Sequence, residues 1–127
     1  MMNTLDGLQN RNVYSQLLSD FERSASQAVE LRWRWLAAAH IVGQSDFRLH
    51  CHVHGVMFGY AVRIRDWPEA GGQLFRLTLV PLGHLLGKLP IGNIGRATVN
   101  AFQPMPISSD LQEIISKARQ AAAGARA

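Results

Sequence analysis

At 127 residues the chain has the length of one domain, and such a chain can bury a core without disulfides or metals to hold it. Its 47% hydrophobic and 17% charged residues exclude a disordered chain. Its apolar runs are broken by Arg, His or Pro before the roughly 20 residues that a membrane span requires. The charge of +4 comes mostly from arginines scattered between Arg11 and Arg126, Lys88 and Lys117 being the lysines. They form no basic patch with interleaved aromatics, so neither nucleic acid nor a membrane is expected as a partner. The single Cys51 rules out an internal disulfide and suits a reducing compartment. "MMNTLDGLQNRNVY" lacks the basic-then-apolar design of a signal peptide, which gives a cytoplasmic expectation.

In chain order, Val13, Leu17 and Phe21 lie four apart, followed by Ala25, Ala28 and Val29, a helical stripe over residues 12–30. "AVELRWRWLAAAHIVGQ" continues as a second helix with Gly43 as its C-cap. Ser45 and Asp46 provide an N-cap for a third helix running to about Asp66. Pro68 suits the first turn of a fourth helix, and Pro81 is expected to end or kink it. From Gly83 to Ile107, prolines and glycines predict an extended, ordered segment that wraps the bundle, because Ile91, Ile94, Val99, Phe102 and Ile107 still need burial. Ser109 and Gln112 have the spacing of a capping box and open a last helix with Leu111, Ile114, Ile115 and Ala118 on its apolar face. The expected fold is all-α: about five helices in antiparallel hairpins, with one long Pro/Gly-rich segment before the last. A single domain spans 1–127, with 1–10 and 120–127 frayed.

The stretch "FRLHCHVHGVMF", residues 47–58, holds three of the five histidines and the only cysteine. At about 100° per residue it points in three directions. His50 and His54 share a face with Met57 and Ala61. His52 lines up with Arg48, Gly55 and Gly59, and Cys51 joins the apolar row of Phe47, Phe58 and Val62. Folding the second and third helices back on each other about Gln44–Ser45 puts His40 level with His50, given a rise of about 1.5 Å per residue. His50 and His84 lie 17 residues either side of Trp67, so a regular fourth helix returns His84 to the same end. Imidazole is a favoured ligand of Zn, Cu, Ni and Fe, and three such ligands with one open position form a catalytic-type site. There is no HExxH motif. Among the helical acids only Asp46 falls at the histidine end, which argues against a carboxylate-bridged di-iron centre.

Other features read as structural. In "RWRW" (32–35) alternate residues point about 200° apart, putting one tryptophan in the core and leaving the other partly exposed. "IGNIGR" (91–96) has the glycines and arginine of an anion-binding turn but lacks a full phosphate loop, so a structural turn is favoured. Cys51, in an apolar row, reads as inert.

"AHIVGQ", the His50/His54 pair, "VPLGHLLGKLPIGNIGR" and "AFQPMPISSDL" together resemble an uncharacterised bacterial family, domain of unknown function 3703. The resemblance covers about residues 30–112. Where the family shows "LERAH-x-x-GQ", this chain has Ala37 and Ala38 in place of Glu and Arg, while His40, Gln44, His50 and His54 match. The resemblance implies tetratricopeptide-like helical hairpins and no established activity.

The residues thus lead to a small helical protein that binds a transition metal (Zn, Cu, Ni or Fe) through His40, His50 and His54, joined by His84, with Gln44 supporting. Two alternatives stand beside it. One is a metal-free interaction module or accessory subunit with structural histidines, meeting a protein partner or a second copy. The other is a small enzyme acting on a small molecule with a histidine as general base.

Overall fold

The computed structural model describes residues 4–124. It is all-α, with five helices in the order α1 (Thr4–Arg23), α2 (Val29–Gly43), α3 (Phe47–Arg63), α4 (Trp67–Leu86) and α5 (Ser109–Gly124). The short connections 24–28, 44–46 and 64–66 turn the chain back each time, so α1 packs on α2, α2 on α3 and α3 on α4. α5 closes over α1 and α2. Leu17, Leu36, Val53 and Met57 fill the centre, with Phe21, Trp33 and Tyr60 edge-to-face around them. Trp35 stays at the margin, so the two tryptophans divide as their spacing predicts. Arg32 is buried with its guanidinium over the rings of Phe21 and Tyr60 and donates to Ser24 Oγ and the Phe21 carbonyl.

Asp46 caps α3, accepting from the amides of Arg48 and Leu49, and Asp66 caps α4 through the Glu69 amide. Several expectations change. The first helix occupies 4–23, not 12–30, and residues expected to fray at 4–10 and 120–124 are helical; the rest of those two end ranges lies outside the described residues. Pro81 does not end α4, which continues to Leu86 and stops at Gly87 (φ 67°), whose amide reaches the carbonyls of Gly83 and His84. A proline inside a helix loses its own amide hydrogen bond and crowds the carbonyl four residues back; here the helix continues regardless, with Pro81 exposed on its outer side. Gln112 forms no capping box with Ser109; its side chain donates to the Ile107 carbonyl.

Residues 87–108 form the wrapping segment; of its apolar residues expected to be buried, Ile94, Val99 and Ile107 are partly buried, whereas Ile91 and Phe102 stay exposed. Asn93 is its anchor: fully buried, it donates to the carbonyls of Asn100 and Gln103 and accepts from the Gly95 amide. Gly92 and Gly95 adopt φ of 81° and 83°, the left-handed region that glycine enters without steric cost. "IGNIGR" is therefore a structural turn, its Gly95 amide already engaged by Asn93.

Candidate metal centre

The last turn of α2, the first two turns of α3 and the middle of α4 meet beneath this segment. His40, His50 and His54 are all buried there, and one ring nitrogen from each lies within 4.8 Å of the others. The ring centroids are 5.0 Å (His40–His50), 4.8 Å (His40–His54) and 5.1 Å (His50–His54) apart. The level of His40 and His50 about the 44–46 turn brings α2 and α3 together at this point, and the i,i+4 spacing supplies His54.

Each ring is held by its Nδ1. His40 Nδ1 lies 2.7 Å from the Asn93 carbonyl oxygen, which can only accept. His54 Nδ1 lies 2.7 Å from Gln73 Oε1. The orientation of that amide is settled by its other end, because Gln73 Nε2 donates to a Glu69 carboxylate oxygen (2.9 Å) and to the Gly95 carbonyl (3.0 Å). Both histidines therefore carry their proton on Nδ1 and have a bare lone pair at Nε2. His50 Nδ1 lies 3.0 Å from His84 Nε2; with His50 donating, all three share one tautomer. Burial pushes the pKa of His50 down to about 3 and that of His54 to about 4, and it holds His40 well below the imidazole range. The mutual proximity of the rings acts in the same direction on His40 and His50. All three are neutral at pH 7, the form that binds metal.

His84 does reach this end of the bundle, because α4 stays helical through Pro81. It stands outside the three-nitrogen group, half-buried, with its ring edge-on to Phe47 and its Nε2 on the outer nitrogen of His50. Gln44 is buried and donates to the Pro90 carbonyl; it supports the wrapping segment and makes no hydrogen bond to a histidine ring. His52 points elsewhere, exposed, 2.6 Å from Tyr14 Oη. Cys51 is partly buried, and that burial raises its thiol pKa, which opposes thiolate chemistry.

Residues that pattern reading does not single out complete the surroundings. Gln73 and Glu69 form a buried pair one turn apart, and Arg76 follows on the same face. Glu69 also accepts from the Ala97 amide and lies 3.6 Å from Arg96, whose guanidinium stacks over Trp33. The 4–3 spacing of Glu69, Gln73 and Arg76 is visible in the sequence as a polar stripe, but a polar stripe on a helix ordinarily faces water. An open chamber of about 170 Å³ adjoins the triad, lined by the three histidines, Arg76 and mostly apolar side chains.

The model of the family described as "Protein of unknown function (DUF3703)" matches residues 8–115. The chain belongs to this family. No curated protein and no solved structure matches it. The match covers most of α1, all of α2 to α4, the wrapping segment and the start of α5, so the whole histidine site lies inside the family's shared region.

Proposed function

We propose that the protein binds one transition-metal ion through Nε2 of His40, His50 and His54. The observation that carries this reading is the outward anchoring of all three rings. Metal-ligating histidines characteristically donate their other N–H to a carbonyl, carboxylate or similar acceptor, which fixes tautomer and direction. Here a backbone carbonyl, a glutamine oxygen and a second imidazole take those three positions. Three buried neutral imidazoles with lone pairs turned toward one another repel, and a cation between them removes that repulsion.

The donor set fits Zn, Cu, Ni or Fe, all of which accept imidazole. With bonds of 2.0–2.1 Å, tetrahedral ligands sit about 3.4 Å apart, so closing on an ion draws the widest pair inward by about 1.4 Å. A three-histidine site leaves a coordination position open, and the adjoining chamber gives that position room. His84 orients His50, and Gln73 orients His54. A metal-free general base is the weaker reading, because burial that lowers a histidine to about 3 or 4 takes it far from the pKa suited to proton abstraction at neutral pH.

Purified protein is expected to take up one equivalent of Zn²⁺ or Co²⁺ with micromolar or tighter affinity. His54→Ala is expected to lose at least about 100-fold, while His52→Ala retains the wild-type value. A folded protein that takes up none of Zn, Cu, Ni or Fe at micromolar concentration discards the reading.

A second reading, compatible with the first, concerns the outside of α4. Leu74, Phe75 and Leu85 are each at least half exposed there. None of the exposed residues of α4 is charged, a pattern that marks contact surfaces. We infer that this face pairs with a second copy of the chain.

A further inference from the structure

Arg76 has no role in the reading above, and its surroundings are unusual for a charge. It is 7% exposed and lines the chamber beside the three histidines. Its Nη2 donates to the Val99 carbonyl. Among the described residues no carboxylate lies within ion-pair distance of it. A guanidinium has five N–H donors, so most of its capacity remains, in a place where an uncompensated charge is costly.

Glu69 is the buried carboxylate that acts on both Arg76 and His54, but its oxygens are already engaged by Gln73, the Ala97 amide and Arg96. Three neutral imidazoles cancel none of a divalent cation's charge, and Arg76 adds to it. A three-histidine site ordinarily holds water at its open position, and an anion there, on the side where Arg76 stands, would offset this positive charge as water does not. The rest of the lining sets the shape of that anion. Leu79, Val80, Leu82, Leu86, Leu89 and Phe102 surround the chamber, so an inorganic oxyanion would turn unpaired oxygens toward leucine side chains. A carboxylate with a compact apolar body meets both demands, since the guanidinium fork matches a carboxylate bidentately. The chamber's volume of about 170 Å³ is close to that of a cavity of about 150 Å³ known to hold benzene. Lys88, exposed at the rim, adds positive charge at the mouth.

We propose that the chamber binds a small monocarboxylate, its carboxylate placed between Arg76 and the metal and its apolar body among the leucines. The proposal rests on the metal reading. Its test measures Zn²⁺ affinity with and without benzoate, and benzoate affinity with and without Zn²⁺, by titration calorimetry on the full chain. Benzoate is expected to tighten Zn²⁺ binding by about tenfold or more, and Zn²⁺ to tighten benzoate by the same factor, as linkage requires. Arg76→Gln is expected to retain Zn²⁺ uptake and lose the coupling, and inorganic phosphate or sulfate is expected to show little coupling in wild type. Leu82→Trp, which fills the chamber from its rim, provides a second variant: Zn²⁺ still binds and benzoate no longer does. Zn²⁺ uptake that benzoate leaves unchanged overturns the proposal and spares the metal reading. Coupling that survives in Leu82→Trp and in a folded Arg76→Gln, or phosphate coupling as strong as benzoate's, also overturns it. A folded chain that binds no metal overturns both.

Discussion

Gly95 lies against the face of the His40 ring. A Cβ built there would stand 2.6 Å from Cδ2 of the imidazole, and the backbone holds φ at 83°. The same residue offers its carbonyl to Gln73 and its amide to Asn93, so it touches the supports of two of the three histidines. Gly95→Ala combines left-handed strain with a clash against a buried ring. It is expected to cost about 2–5 kcal/mol, read as a fall of about 10 °C or more in the unfolding midpoint. Gly55→Ala, on α3 with open space around it, is the control and should raise stability slightly. Equal effects at the two glycines would remove the packing role given to Gly95.

Helix α4 departs from amphipathic expectation in which residues it buries. It buries Glu69, Gln73 and Arg76 and exposes leucines, the reverse of the usual arrangement. That inversion explains what was and was not legible in the sequence. His40, His50 and His54 could be brought together from helical spacing and one short turn, since both are local geometry. The acceptors that orient them could not. Asn93 lies 53 residues from His40, and no periodicity links a loop carbonyl to a helical imidazole. Gln73 and Arg76 sat in view on a polar stripe whose burial only the wrapping segment explains. His84 depended on whether α4 continued past Pro81, and the local rule, which allows either an end or a kink there, does not decide it. The exposed leucines of α4 carry their own expectation. In solution the particle mass should be about twice 14.1 kDa, and Leu85→Glu combined with Phe75→Glu should return it to the monomer value. A wild-type chain that is monomeric at high micromolar concentration removes the pairing reading.

For the whole molecule, the buried histidines make stability depend on pH. In the unfolded chain a histidine titrates near 6.5, whereas His50 and His54 in the fold titrate near 3 and 4. Between those values the unfolded state binds more protons, so stability is complete above pH 6.5 and declines as pH falls toward 4. Each group contributes at most about 1.4 kcal/mol per pH unit in that window. Denaturant melts of the metal-free protein at pH 7.5, 6.0 and 5.0 are expected to show a steep loss below 6.5, reduced in His50→Asn. A flat profile would mean that the triad accepts protons in the folded state.

The wrapping segment has a consequence for how such a centre changes by mutation. The three ligand candidates span only residues 40–54, a hairpin short enough to vary as a unit. Two of the groups that aim them, Asn93 and Gly95, sit in a segment that approaches the triad without offering a ligand atom to it. Insertions and substitutions along residues 87–108 can therefore retune ligand angle, and with it the choice of ion, while every histidine stays where it is. In the proposed metal centre, the determinants of selectivity and of binding would lie in different stretches of the chain, free to diverge separately.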